Sequence, residues 1–205
     1  MQLKRSAPII LAVADGPNLI TFLGGLLSIL ACIAAMADGF ALALALAMWA
    51  HVADSADGWL ARHQPARALA IREIGKQMDS LADLLSSGAF PLVFLIAYSD
   101  GNVVAIVGGV CLCAAGLLRL SYFGVHGLDN GHFIGLPQPH NLLVLTGGYW
   151  SLSALGQASP GALGAMALLT AFLHVASFRF PKMSDVAIVV TVLAAIAATY
   201  LALMV

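Results

Sequence analysis

The chain has 205 residues, of which 61% are hydrophobic and 9% are charged, and its mean hydropathy is +0.95. Soluble domains of this length are less apolar and carry about 25% charged residues, so the composition predicts an integral membrane protein. The formal net charge of −1 gives no basic surface of the kind that a nucleic-acid partner requires.

The first 16 residues are predicted to lie on the cytoplasmic surface of the membrane. Two basic residues precede an apolar run over residues 7–14, and Asp15-Gly16-Pro17 ends that run. A cleavable signal peptide is the alternative, because small residues near the end of the run resemble a cleavage site. We favour an interfacial helix, because a full span begins directly after the break. The membrane domain is then predicted to cover residues 17–205.

Polar turns and prolines divide the membrane domain into apolar segments of helical length. The predicted helices run from Pro17 to Met36, Phe40 to Arg62, Lys76 to Tyr98, Val103 to Phe123, Asn141 to Leu155, Gly161 to Phe178 and Asp185 to Leu203. The fifth is short and polar, so we expect six or seven spans. The predicted fold is an all-α, polytopic membrane helix bundle in which residues 124–139 form the longest loop, a length that favours a functional role.

The distribution of basic residues predicts the orientation of the bundle. With seven spans and a cytoplasmic N-terminus, every Lys and Arg falls on the cytoplasmic side: Lys4, Arg5, Arg62, Arg67, Arg72, Lys76, Arg119, Arg179 and Lys182. The three turns on the opposite side carry none, as the positive-inside rule requires.

Four aspartates near the predicted cytoplasmic face are the strongest functional signal. Asp54 and Asp57 are three residues apart, and Asp79 and Asp83 are four apart, so each pair projects from one helix face. Carboxylates crowded at the edge of an apolar bundle share protons or neutralise their charge on cations. We therefore predict a metal site. A cation-coupled or proton-coupled transporter is a more distant alternative, because transport relays also use intramembrane acids.

The same stretch resembles a known signature. The pattern DxxDGxxAR, followed after a gap by GxxxDxxxD, resembles that of the CDP-alcohol phosphatidyltransferases, and it falls on Asp54, Asp57, Gly58, Ala61, Arg62, Gly75, Asp79 and Asp83. One departure is that twelve residues separate Arg62 from Gly75, where about eight are usual in the family. The additional residues lengthen the basic loop.

Further segments resemble the phosphatidylserine synthase branch of that family. They are Pro17-Asn18-Leu19-Ile20-Thr21, Asp79 to Pro91, Arg119-Leu120-Ser121 with Phe123, residues 133–137 with Pro139, and Phe178-Arg179-Phe180-Pro181. Gly124 and His140-Asn141 depart from the branch pattern in the half of the site that is expected to handle the acceptor alcohol.

The resemblance implies a reaction and its residues. A phosphatidyl group would move from CDP-diacylglycerol, or an archaeal ether equivalent, to a hydroxyl, with release of CMP. Two Mg²⁺ or Mn²⁺ ions would be held by the carboxylates of Asp54, Asp57, Asp79 and Asp83, and Asp83 would also be the general base. The residues implied to contact the CDP-lipid are Asn18, Thr21, Asp57, Gly58, Ala61, Arg62, Gly75 and Asp79.

The second part of the prediction concerns the acceptor alcohol. Arg119, Arg67 and Arg72 are the residues predicted to bind it, and serine is the favoured acceptor. Glycerol phosphate, inositol phosphate or another small alcohol are the alternatives. The expected location is a bacterial or archaeal cell membrane with the site facing the cytoplasm. Stripes of small residues on the helices favour close packing and a homodimer.

Overall fold

A computed structural model describes residues 8–64, 67–127, 129, 132–157, 159–181 and 185–204. Eight α-helices make up most of the described chain: α1 (Gly16–Met36), α2 (Phe40–His63), α3 (Leu69–Leu84), α4 (Phe90–Tyr98), α5 (Val103–His126), α6 (His140–Ala154), α7 (Pro160–Val175) and α8 (Asp185–Met204). A π-helical turn, Leu85–Ala89, joins α3 to α4, so the two form one helical segment.

The all-α membrane architecture predicted from composition is confirmed at this level. Among the described residues, three helical segments are long and apolar enough to cross a membrane, namely Gly16–Met36, Leu69–Tyr98 and Val103–His126. Pro160–Val175 and Ile188–Met204 are shorter apolar helices. A count of six or seven spans therefore stays a prediction. The first two thirds of α2 are also apolar. Its last third carries Asp54 and Asp57, which lower the mean hydropathy of the helix.

The N-terminal segment is described only in part. Residues 1–7, which include Lys4 and Arg5, lie outside the described residues, as does Lys182. Ile9–Val13 forms a short 3-10 helix, and Ile9 is 92% exposed. An exposed apolar turn next to the first span suits a position at the membrane surface, but the predicted interfacial helix over residues 1–16 stays a prediction.

The basic connection between α2 and α3 is shorter than predicted. We expected the third helix to begin near Lys76, whereas α3 begins at Leu69. The first turns of α3 carry several charged residues on an exposed face, so hydropathy alone gives no sign of the helix there. Arg72 consequently lies on α3 and not in a loop.

A small β-sheet also departs from the all-helical prediction. Strand β1 (His132–Ile134) pairs antiparallel with β2 (Arg179–Pro181), and Phe133 lies opposite Phe180. The long loop therefore contains a strand, and α7 ends at Val175 because the chain beyond it turns to pair with β1. The pair fixes the connection after α5 against the connection after α7.

Close helix contacts hold the bundle together. The helix α1 packs chiefly against α2, and α5 packs chiefly against α7. A Cβ atom built on Gly108 of α5 would lie 2.4 Å from the carbonyl oxygen of Gly164 on α7, so the two backbones touch. The largest fully buried side chains lie mainly on α2, α4 and α6, among them Leu44, Met48, Phe90, Phe94 and Leu142.

Candidate active site

A cleft between α2 and α3 positions the predicted aspartates. Both helices pack against α1, whereas they make few contacts with each other. The last turns of α2 carry Asp54 and Asp57 into this cleft, and the middle of α3 carries Asp79 and Asp83. The helical spacing within each pair places both members on the side that faces the opposite helix.

Three of the four carboxylates come together. One oxygen from each of Asp54, Asp57 and Asp79 lies within 4.8 Å of the other two. Asp57 is buried at 5% exposure and accepts a hydrogen bond from the hydroxyl of Thr21 on α1, whereas Asp54 and Asp79 are half-buried. The site therefore draws side chains from three helices.

Asp83 lies one helical turn beyond the cluster. Together with Ser28 and Ser86 it lines a narrow gap beside Asp54. Asp57 lines the same gap, so Asp83 lies beside two members of the cluster. Carboxyls this close either share protons or neutralise their charge on a cation. The π-helical turn begins two residues after Asp83, at Leu85, and such distortions are frequent at functional sites.

The donor set of the cluster fits a hard divalent cation. In the described part of the chain, the one positively chargeable group within 4.0 Å of these carboxylates is His51, whose Nδ1 atom is 3.7 Å from Asp54 Oδ2. The Nε2 atom of His51 is buried and has no hydrogen-bond partner among the described residues. Mg²⁺ and Mn²⁺ prefer carboxylate oxygens, so Asp54, Asp57 and Asp79 are suitable ligands for such ions.

A cavity of about 410 Å³ adjoins the cluster. With the exception of Thr21, every residue that the resemblance assigned to the CDP-lipid lines it: Asn18, Asp57, Gly58, Ala61, Arg62, Gly75 and Asp79. Thr21 instead donates a hydrogen bond from its hydroxyl to the carboxylate of Asp57. The structure therefore brings residues from α1, α2 and α3 together around one space that ends at the carboxylates.

Gly75 has a steric reason to be glycine. A Cβ atom at this position would lie 2.2 Å from Oδ1 of Asn18 and 3.3 Å from Nη2 of Arg67. A Cβ atom on Gly58 would meet nothing closer than Nη1 of Arg62, at 3.5 Å, so Gly58 is not small because of crowding within the protein. The absence of a side chain at Gly58 leaves its helix backbone open towards the cavity.

The three arginines predicted to bind the acceptor do not come together. Arg67 and Arg72 line the cavity of the CDP-lipid residues, whereas Arg119 lines a second cavity of about 530 Å³ among α5, β1 and α7. Arg119 is buried at 6% exposure, and its Nη1 atom donates to the carbonyl of Ile134 at 2.6 Å. The ring of Phe123 packs 4.6 Å from its guanidinium carbon.

Sequence reasoning missed two polar residues that make long-range contacts. Asp15, which was interpreted only as part of a helix break, forms an ion pair with Arg67. Asn141, which was noted only as a departure from the branch pattern, is buried and donates from Nδ2 to the carbonyl of Ser87 in the π-helical turn. Both partners are far away in sequence, and no local pattern links them.

The chain is similar in sequence to a known protein family and to several relatives. A family model described as CDP-alcohol phosphatidyltransferase matches residues 15–205. A CDP-diacylglycerol–serine O-phosphatidyltransferase of Methanocaldococcus jannaschii is 28% identical over 84% of this chain and 75% of the relative. An archaetidylserine synthase of Methanothermobacter thermautotrophicus is 33% identical over 70% of this chain and 62% of the relative. A CDP-diacylglycerol–serine O-phosphatidyltransferase of Bacillus subtilis is 32% identical over 42% of this chain and 48% of the relative.

Proposed function

Because this chain belongs to the CDP-alcohol phosphatidyltransferase family, we propose that it transfers a phosphatidyl group from CDP-diacylglycerol, or an archaeal ether equivalent, to the hydroxyl of serine. The observation that carries the proposal is the carboxylate cluster at the end of the 410 Å³ cavity. Family membership makes the chain a transferase, so the transporter alternative loses its support. The names of the relatives favour serine as the acceptor.

The CDP-lipid is proposed to occupy the cavity between α2 and α3. Its diphosphate would lie next to the carboxylate cluster, and Arg62 would contribute a fork of donors from the cavity wall. The open backbone at Gly58 leaves room for the nucleotide against α2. Thr21 holds Asp57 in place through its hydroxyl, which makes it a positioning residue in this scheme.

Asp54, Asp57 and Asp79 are proposed to hold two divalent ions, Mg²⁺ or Mn²⁺, with Asp83 beside them. When bound, such ions neutralise the negative charge of a diphosphate. Asp83 is proposed to accept the proton of the serine hydroxyl. The hydroxyl oxygen then forms a bond to the lipid-linked phosphorus, and the bond between that phosphorus and the oxygen of CMP breaks. The products are CMP and phosphatidylserine.

Arg119 is proposed to bind the carboxylate of the acceptor. Its Nη1 atom is occupied by backbone carbonyls, whereas Nε and Nη2 have no hydrogen-bond partner in the described part of the chain. A buried guanidinium with unused donors at the wall of a 530 Å³ cavity suits an anionic group. A phosphorylated acceptor would use the same cation, so glycerol phosphate and inositol phosphate are the competing acceptors.

The proposed domain bounds, number of spans, membrane orientation and oligomeric state rest on the sequence. We propose that residues 1–16 form a segment at the cytoplasmic surface and residues 17–205 the catalytic membrane domain. In this scheme six or seven spans cross a bacterial or archaeal cell membrane, with the aspartate cluster facing the cytoplasm. With seven spans, every Lys and Arg would lie on one side of the membrane, which supports this orientation. A homodimer is proposed from the small-residue stripes alone.

The first test is CMP release by the purified protein with CDP-diacylglycerol and Mn²⁺ or Mg²⁺. Serine, glycerol 3-phosphate, inositol and inositol phosphate are compared as acceptors. We expect serine-dependent release that falls about 10² to 10⁴-fold in Asp83→Asn. Asp100→Asn, in the turn between α4 and α5, is the matched control and should keep the full rate.

Each other outcome has a defined meaning. Release that depends on a different acceptor would keep the reaction class and reject serine, and would direct attention to Gly124 and His140. Release that is unaffected by Asp83→Asn would reject the proposed base. No release with any acceptor, in either metal, would reject the proposed activity.

A further inference from the structure

An ion pair fixes the connection between α2 and α3 to the start of α1. Arg67 donates from Nε to Oδ1 of Asp15 at 3.2 Å and from Nη2 to Oδ2 of the same residue at 2.5 Å. The two side chains are 10% and 14% exposed, so the two-point contact is well shielded from water. Fork-to-carboxylate contacts of this kind fix the orientation of a guanidinium as well as its position.

Asn18 extends the contact to α3. The Nη2 atom of Arg67 also donates to Oδ1 of Asn18 at 2.6 Å, and Nδ2 of Asn18 donates to the carbonyl of Ile71 at 3.1 Å. Gly75 leaves the space in which the amide and the guanidinium meet. The start of α1, the connection between α2 and α3, and α3 itself are therefore linked around the guanidinium of Arg67, which lines the CDP-lipid cavity.

Arg67 differs from the other cations of this cavity. Arg62, Arg72 and Lys76 are exposed, whereas Arg67 is mostly buried and held at two of its three nitrogens. Its third nitrogen, Nη1, has no hydrogen-bond partner among the described residues. A held guanidinium loses less conformational freedom when it binds a phosphate than a free one does.

Stability alone does not account for such a pair. Burying two charges costs solvation free energy that their attraction offsets only in part, so buried ion pairs are weak evidence for a stabilising role. The pair instead determines where the remaining donor of Arg67 lies. Arg67 lines the same cavity as Asp57 and Asp79 of the carboxylate cluster.

We propose that Asp15 is a positioning residue that holds Arg67 so that its free Nη1 donor binds the diphosphate of the CDP-lipid. The inference rests on the proposed function, since it requires a nucleoside diphosphate lipid in this cavity. It moves Arg67 from the acceptor side, where the sequence placed it, to the donor side. It also gives the longer connection between Arg62 and Gly75 a role, because Arg67 lies within that connection.

The test is a double-mutant cycle on CDP-lipid affinity. Asp15→Asn, Arg67→Ala and the double variant are compared with wild type for KM of CDP-diacylglycerol, KM of serine and direct binding of CDP-diacylglycerol. We expect each single variant to weaken CDP-diacylglycerol binding roughly tenfold, as loss of a charge-assisted hydrogen bond does, and to leave KM of serine unchanged. The double variant should bind no more weakly than Arg67→Ala, because Asp15 acts through Arg67.

Two further variants keep the result interpretable. Asp38→Asn, in the exposed turn at the other end of α1, should bind like wild type. Arg67→Lys keeps the charge but lacks the fork, so it should fold like wild type and still bind CDP-diacylglycerol more weakly.

Wild-type affinity in both Asp15→Asn and Arg67→Lys, or additive losses in the double variant, would overturn the inference. So would a change confined to KM of serine. If wild type binds CDP-diacylglycerol but releases no CMP, the proposed activity fails, while the binding cycle still tests the role of Arg67. If wild type does not bind this lipid, both proposals fail.

Discussion

Gly75 shows how the absence of one side chain shapes the proposed CDP-lipid site. Its Cα hydrogen faces the amide of Asn18 and the guanidinium of Arg67, and a methyl group there would lie 2.2 Å from the amide oxygen. Asn18 is almost fully buried and also bonds the backbone of α3, so it has little freedom to move away. The glycine is thus a requirement of the contacts that the structure shows, independently of any ligand.

Gly75→Ala is expected to weaken CDP-diacylglycerol binding and to lower stability by about 1 to 3 kcal/mol, the usual cost of overpacking. Thermal unfolding and lipid binding are the measurements. Gly147→Ala in α6 is the control, since a Cβ atom there meets nothing within 4 Å. Alanine has the higher helix propensity, so this control should be neutral or slightly stabilising. Wild-type binding by Gly75→Ala would show that Asn18 and Arg67 can rearrange without consequence.

The carboxylate cluster makes a prediction that does not depend on turnover. Bound divalent ions relieve the repulsion among Asp54, Asp57 and Asp79 in the folded state, so Mn²⁺ or Mg²⁺ should raise Tm and a chelator should lower it. Asp54→Asn should reduce this metal-dependent shift, whereas Asp100→Asn should keep it. The same shift in Asp54→Asn and wild type would place the ion elsewhere.

At the scale of helices, the crossing of α5 and α7 depends on two glycines. The Cβ position of Gly108 lies 2.4 Å from the backbone oxygen of Gly164, and that of Gly164 lies 2.5 Å from the backbone nitrogen of Ala105. Close backbone approach allows van der Waals contact along the whole crossing, which is the main source of helix association within a membrane. Arg119 of α5 and His174 of α7 are also in contact, because the guanidinium of Arg119 donates a hydrogen bond to the backbone carbonyl of His174.

Gly108→Ala should therefore lower the unfolding temperature, with a cost of about 1 to 3 kcal/mol, because the two helices must separate. Gly124→Ala lies on the same helix in open surroundings and is the matched control. Unfolding of both variants is followed in detergent by circular dichroism. Equal unfolding temperatures for the two variants would contradict a packing role for Gly108.

The connection from α3 to α4 is a second feature at this scale. The π-helical turn leaves backbone groups out of the regular α-helical ladder, and Asn141 of α6 donates to the carbonyl of Ser87 within it. The helix thereby stays continuous from Leu69 to Tyr98 while its register changes two residues after Asp83.

For the whole molecule, orientation in the membrane is the property to test. If every cation lies on the cytoplasmic side, then the connection after α2 is cytoplasmic and the turn after α6 is external. Gln64 and Gln157 are exposed residues of the same type in these two places. In intact cells, a membrane-impermeant maleimide should label Gln157→Cys and not Gln64→Cys, and both should react after lysis. The reverse pattern would place the aspartate cluster on the external face.

Most of the helices and the membrane character were predictable from the sequence, because both depend on local composition. Apolar runs of helical length predict the bounds of α1, the start of α2, and the bounds of α5 and α8 to within three residues, since lipid-facing helices must be apolar over their full length. The spacing of Asp54 and Asp57, and of Asp79 and Asp83, likewise predicts the two carboxylate pairs, because three-residue and four-residue spacings share a helix face.

How these elements meet depends on the packing of the whole bundle. The start of α3 at Leu69 was not predictable from hydropathy, because its charged first turns are stabilised by contacts with α1 and not by lipid. The pairing of β1 with β2 joins residues about 47 positions apart, and no local preference specifies it. Asp15 meets Arg67 across 52 positions, and Arg67 is thereby separated from Arg119, although the sequence grouped these two arginines by charge. Charge and periodicity are carried by each segment alone, whereas the meeting of two side chains depends on how all the helices pack.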